Sequence, residues 1–320
     1  MDKTVKSRGW PLTGAKCNIK PLLFDLEEAL SVENTYRPSV LAIQYNVKPG
    51  EVTLKSRDGI VHLLRFLKSW FDTPEQVFFV AVGYLDAFIA RIKVPEKYLM
   101  CLAFACFFIA AREEQLDIPL STLIYMARCN FTFQDVLRMV DVVTNKLQLG
   151  SKITTIGDIL RLYIQFLGSC HSTVSEILDE EELLTKLGVL LTDSSCAFFR
   201  PSVLAFTLLR FEVDKQLSHT INKTASFGDV IHTLAVMKEL QLRCETSAAD
   251  LVSCSQFASK VLKRYNNHEP CGNNAYLKWN FFPSFRRRDR SSRSTLSVIN
   301  EKPNGQIKNG RINRKKNRTN

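Results

Sequence analysis

Pro95-Glu96-Lys97-Tyr98-Leu99-Met100-Cys101-Leu102-Ala103-Phe104-Ala105-Cys106-Phe107-Phe108-Ile109-Ala110-Ala111-Arg112-Glu113-Glu114 decides the fold. Every residue from Tyr98 to Ala111 is apolar, and the run is closed by Arg112, Glu113 and Glu114. It is shorter than the roughly 20 residues a membrane-spanning helix needs. A proline suits the start of a helix, because its missing N–H would have no intrahelical partner there. A helix over 96–111 that is apolar nearly all round must be surrounded by other helices, so this segment is expected to be the hub of a bundle.

The flanking sequence supplies the surrounding helices. Upstream, Ile60, Val61, Leu64, Leu67 and Phe71 recur at helical spacing over 58–71. Asp72 or Thr73 can then cap a new helix, with Pro74 in its first position and Glu75 at the positive end, and this helix runs to about Ile92. Downstream, Pro119 opens a fourth helix to Cys129. Thr132 caps a fifth, whose face is Val136, Met139, Val143 and Leu147 and whose stop is Gly150. A short amphipathic helix over 22–30 and a loop through Pro38, Pro49 and Gly50 precede them. Arg57 to Leu149 is thus a five-helix module.

A second set follows at similar spacing, over 155–167, 176–192, 201–213, 227–240 and 248–265. Pro201 opens its apolar third helix much as Pro95 opens the hub, which reads as a five-helix unit repeated. The fold class is therefore all-α: two tandem five-helix units and a tail. The organisation is a flexible N-terminus over 1–20, a first unit over 21–150, a second over 151–268 and a disordered basic tail over 269–320. Glycine and proline are scarce, at 13 and 11 among 320 residues, which favours helices over many short strands.

The formal charge of +11 comes from one place. Beyond Pro270 there are thirteen Lys or Arg against Asp289 and Glu301, so the first 269 residues are neutral overall. The tail has no apolar periodicity after Phe285 and cannot bury enough surface to offset its ordering entropy. Arg286, Arg287, Arg288 and Arg290, with Arg314, Lys315 and Lys316 further on, read as a split nuclear import signal. The expected location is nucleus and cytoplasm. A weak, salt-sensitive contact with nucleic acid is the other use of such a block, and no aromatic residue is interleaved with it to favour single strands.

Chemistry of other kinds is not signalled. Nine cysteines, with no C-x-x-C pair and mostly in apolar runs, suit buried free thiols in a reducing compartment. His62, His171, His219, His232 and His268 are isolated and lack metal-ligand spacing. No glycine-rich phosphate loop, paired catalytic carboxylates or nucleophile beside a base can be read, so no enzyme, metal, cofactor or membrane partner is expected. The acidic run Asp179 to Glu182 sits at a helix start, where negative charge is favourable.

Several segments, taken together, resemble the cyclin family, most closely its atypical G and I branch. Leu85-Asp86-Ala87-Phe88-Ile89-Ala90 is similar to L-D-R-F-L-A, and Lys93-Val94-Pro95-Glu96-Lys97-Tyr98-Leu99 to K-V-x-x-K-x-L. Phe107 to Glu114 resembles the family's hub-helix ending, Leu137-Arg138-Met139 the L-R-M of its fifth helix, and Arg200-Pro201-Ser202-Val203-Leu204-Ala205 the K-P-S-V-L-A of its second box. These matches span roughly residues 20 to 268.

The resemblance implies two cyclin boxes, the first binding a cyclin-dependent Ser/Thr kinase in cell-cycle or growth control. It implies that Arg57 and Asp86 form a buried pair fixing the first box's helix one against helix two. It places Arg112 at the kinase-facing end of the hub, with Ile109, Thr144 and Leu149 lining the groove. The acidic partner usual for Arg112 is a Glu directly after Arg-Met, where this chain has Val140 and then Asp141. One residue turns a helical side chain by about 100°, so Asp141 is a candidate without being an equivalent. Helix one has Ser56-Arg57-Asp58-Gly59-Ile60 and Leu63 in place of the family's M-R-A-I-L and tryptophan, so substrate docking of that type is not expected. Two alternatives belong to the same resemblance or to the basic tail: a non-activating adaptor that recruits a protein phosphatase regulatory subunit, and a cyclin-fold nucleic-acid-associated factor.

Overall fold

The computed structural model describes residues 20–36, 50–127, 131–150, 153–170, 178–221 and 227–267. The two basic clusters, Arg286 to Arg290 and Arg314 to Lys316, lie outside them, as do the N-terminal 19 residues, the loop through Pro38, Cys17, Cys129, Cys271, His171 and His268. Among the described residues the chain is all helical: α1 (Lys20–Tyr36), α2 (Leu54–Trp70), α3 (Glu75–Arg91), α4 (Leu99–Glu113), α5 (Leu120–Ala127), α6 (Phe133–Leu147), α7 (Ile156–Cys170), α8 (Glu180–Leu191), α9 (Ser194–Ala197), α10 (Pro201–Ile221), α11 (Phe227–Arg243) and α12 (Ala248–Asn266). The only β pairing there is an isolated bridge between Glu51 and Pro95. The two five-helix sets are α2 to α6 and, interrupted by the short α9, α7 to α12. None of these helices is long and apolar enough to cross a membrane.

Local chemistry explains where the helices differ from expectation. α2 begins a turn before Asp58, because Thr53 and Ser56 cap each other reciprocally: the Ser56 N–H donates to Thr53 Oγ1 at 3.0 Å, and the Thr53 N–H to Ser56 Oγ at 2.8 Å. Pro74 lies one residue outside α3, not in its first position, and neither Asp72 nor Thr73 caps it. Asp72 instead makes the left-handed turn, at φ 49°, and Lys68 reaches across to Glu75 at 2.6 Å. Pro95 is followed by a 3-10 turn, Glu96–Tyr98, before α4 proper. α6 has its Thr132 cap in a box with Asp135, but it stops at Gln148, in the left-handed conformation at φ 52°, and not at Gly150. The Leu149 N–H returns to the Thr144 carbonyl at 3.2 Å and closes that turn.

The core centres on two helices. α4 buries Leu99, Cys101 to Phe107 and Ile109 to Ala111, as a hub should. α3 is buried as fully, from Gln76 to Val82 and Tyr84 to Ile89, which its sequence did not single out. It packs on α2, α4 and α6 on one side and on α7 and α8 on the other. At Gly157 of α7 an added Cβ would lie 2.6 Å from the Phe79 ring of α3, so only glycine permits this approach. α1 packs on α7 and α10. Its buried Glu33 accepts from the Ser202 N–H at 2.6 Å and the Ser202 hydroxyl at 3.0 Å, where the positive end of α10 favours a carboxylate.

Candidate functional site

Two charged centres frame the first set. The inner one is built on Arg57, which has no solvent exposure. Its Nε and Nη2 donate to the two carboxylate oxygens of Asp86 at 2.9 and 2.6 Å, the bidentate geometry that suits a guanidinium. Its Nη1 donates to Asp58 Oδ1 at 3.2 Å and to the Leu191 carbonyl at 2.8 Å. Asp58 in turn accepts from the Ser194 hydroxyl at 2.9 Å. One guanidinium thus ties α2 to α3 within the first set, and α2 to the α8–α9 junction of the second.

Burial works against the charge on Arg57, and Asp86 and Asp58 more than offset it, so its pKa is held above the ordinary value. Asp58 is pushed up, because burial outweighs the help of Arg57 and Ser194. Beside them on α2, His62 is pushed down to about 4 by burial and by the Arg65 charge, and its Nε2 is buried with no hydrogen-bond partner. Asp193 accepts from Arg264 Nη2 at 2.7 Å, which closes the same junction from α12.

The outer centre is the C-terminal end of α4 with α6 beside it, two helices packed closely together. Arg112 is exposed, with its guanidinium 5.7 Å from the centroid of the Phe108 ring and no ion pair among the described residues. Its neighbour Glu113 is fixed, accepting from the buried Tyr84 hydroxyl at 2.5 Å. On α6, Asp141 is exposed and likewise has no ion pair among the described residues. Val140 and Thr144 are half-buried, Ile109 is buried, and Leu149 is half-buried just beyond the turn at Gln148. Arg112 and Asp141 therefore present separate charges to solvent.

Asp58, Ser194, the Leu191 carbonyl and Glu33 are missing from the sequence-derived site. Asp58 had one signal: a second charge directly after Arg57 at the start of an apolar helix. The others depend on contacts more than 130 positions apart.

These groups are arranged for packing and contact. Burial raises the thiols of Cys101, Cys244 and Cys254 to about 11, Cys196 to about 12 and Cys106 further, so at neutral pH they are protonated and weakly nucleophilic. No group of three His, Cys, Asp or Glu among the described residues could hold a metal ion.

Known proteins agree with this architecture. Residues 26–150 match the family "Cyclin, N-terminal domain", a span containing both charged centres of the first set. The chain is similar to Cyclin G of Drosophila melanogaster, 28% identical over 240 residues, which are 72% of this chain and only 42% of the fly protein. It is similar to Cyclin-G2 of Mus musculus, 31% identical over 250 residues, covering 76% of this chain and 69% of that one. It is also similar to Cyclin-G1 of Homo sapiens, 28% identical over 274 residues, covering 81% and 86%. Among solved structures, the X-ray structure of a viral cyclin from herpesvirus saimiri superposes with a TM-score of 0.51 at 16% identity, over 73% of this chain and 99% of that one, and so shares the fold. With its two five-helix sets and its similarity to several cyclins G, the chain belongs to the cyclin family, on the G branch, and is a cyclin-like regulator.

Proposed function

We propose that the chain binds a cyclin-dependent Ser/Thr kinase through the end of α4 and the outer face of α6, and acts in cell-cycle or growth control. The observation that carries this reading is Arg112: an exposed cation at the end of the buried hub helix, held over Phe108 and lacking an internal carboxylate among the described residues. A rigid hub presenting an unneutralised guanidinium suits a partner that brings an acidic group, and the cyclin resemblance adds Ile109, Thr144 and Leu149 to the same groove. Affinity purification of the intact chain beside an Arg112→Glu variant, with kinase activity assayed in both eluates, tests it. The wild type retains a kinase that the variant loses; equal retention overturns the role of Arg112.

Val140 favours a second reading. It stands where the cyclin resemblance expects a Glu, and Asp141 on the next position makes no ion pair with Arg112. A partner can then be bound without being activated, and the chain serves as an adaptor, with a phosphatase regulatory subunit as a further partner. An eluate holding kinase protein without kinase activity selects this reading. The basic clusters at 286–290 and 314–316 support a nuclear as well as a cytoplasmic location, tested by imaging the chain with Arg314, Lys315 and Lys316 replaced by Ala.

A further inference from the structure

We propose that the outer face of α11 is a docking site for an acidic amphipathic helix of a partner protein. α11 packs on α7 and α10 through Thr233, Val236, Met237 and Leu240, all buried. Its opposite side is also apolar: Ile231, Leu234 and Leu242 are 53%, 50% and 61% exposed, with exposed Ala235 and Lys238 among them. At 100° per residue these five fall within an arc of about 100°, one continuous stripe some three turns long. A helix with an apolar stripe on each side has room for a second neighbour, and adjoining exposed aliphatic residues mark an interaction surface.

Charge identifies the occupant. Glu239 and Arg243, at the stripe's edge, satisfy each other at 3.0 Å, and Arg243 also reaches Glu27 of α1 at 3.4 Å. Lys238, central and exposed, has no ion pair among the described residues, so the complementary helix carries Asp or Glu among its apolar positions. A second copy is disfavoured, because antiparallel pairing of two such stripes brings the two Lys238 side chains within a turn of each other. The long apolar and basic stretches among this chain's own undescribed segments are disfavoured too. The apolar runs at 37–49 and 276–285 contain no Asp or Glu, and the tail beyond Pro270 sets thirteen Lys or Arg against two acids. The three-turn length is that of a helix laid on a surface through residues at i, i+3, i+4 and i+7.

The test uses the full chain and labelled, helix-stapled peptides bearing leucines at i, i+3 and i+7, with glutamate or lysine at i+4, read by fluorescence anisotropy. The glutamate peptide is expected to saturate the wild type below about 0.1 mM. Leu234→Glu and Leu242→Glu each weaken it at least about tenfold, and Lys238→Glu reverses the preference toward the lysine peptide. Thermal melts matching the wild type show that these surface variants are folded. The Arg112→Glu chain binds the peptide as the wild type does, which separates this face from the kinase-binding reading. Three results overturn the proposal: no saturation of the wild type, equal binding by Leu234→Glu, or a concentration-dependent dimer that Leu234→Glu dissolves.

Discussion

Arg57 and Arg112 stand on neighbouring helices of one bundle and differ in every respect that governs what a charge can do. Arg57 is sealed from water and satisfied by two carboxylates and a carbonyl. Arg112 is exposed, rests on an aromatic face and has no internal counter-charge among the described residues. A buried charge is tolerable only when it is paired and hydrogen-bonded, so the inner centre is committed to holding the two helical sets together. An exposed charge contributes little to folding and remains available to a partner. One guanidinium therefore serves stability, and the other is the one proposed above for recognition.

The sharpest way to break this division is Asp86→Asn. It leaves the Arg57 guanidinium buried without its bidentate partner, and is expected to cost about 3–5 kcal/mol, lowering the melting midpoint by on the order of 10 °C. An unchanged midpoint refutes the stabilising role assigned to the inner centre. Next in size is the pH response of His62. Its folded pKa is depressed from 6.5 to about 4, so below pH 6.5 the unfolded chain takes up a proton that the folded chain refuses. Its contribution is thus present above pH 6.5 and is lost as pH falls toward 4, on the order of 3 kcal/mol in all. Denaturant titrations of His62→Phe between pH 7 and 4.5 should show a shallower loss than the wild type, and parallel curves defeat this assignment. Gly157→Ala follows, at about 1–3 kcal/mol, because the new methyl meets the Phe79 ring where α3 and α7 join the two sets. A wild-type midpoint for this variant would show that the ring yields freely.

What could be read in advance follows the same division. The helices and their repeat were legible because apolar spacing and the prolines at 95 and 201 are local signals. Their ends were less so: Asp72 and Gln148 make left-handed turns that Asp signals only weakly and Gln not at all, and Pro74 falls just outside α3. Arg57 and Asp86 were linked only through the cyclin resemblance, since a charge inside an apolar helix names no partner. The Leu191 carbonyl, Ser194 and Glu33 stayed hidden because their contacts cross 134, 136 and 169 positions, and only the packing of one set on the other creates them. At the outer centre the helices carrying Arg112 and Asp141 were legible and the relation of the two residues was not. Whether Asp141 reaches Arg112 depends on how α6 is rotated against α4, and a one-residue offset alters that by about 100°.

The smallest expected change in stability tests the outer half of the comparison. Arg112→Glu removes no ion pair among the described residues and opens no cavity, since the side chain it replaces is exposed at a helix end. Its effect on folding should therefore stay within about 0.5 kcal/mol, apart from a slight penalty for negative charge near the C-terminal end of α4. If Arg112 is reserved for a partner, the same substitution that leaves the melt untouched abolishes kinase retention, whereas Asp86→Asn lowers retention only as far as it unfolds the chain. Comparing the two variants well below both melting midpoints separates the roles. Asp86→Asn, folded at that temperature, should retain kinase like the wild type, and Arg112→Glu should not. A loss of retention in both would mean that the inner centre shapes the binding face directly, and the division between a structural and a recognition guanidinium would have to be abandoned.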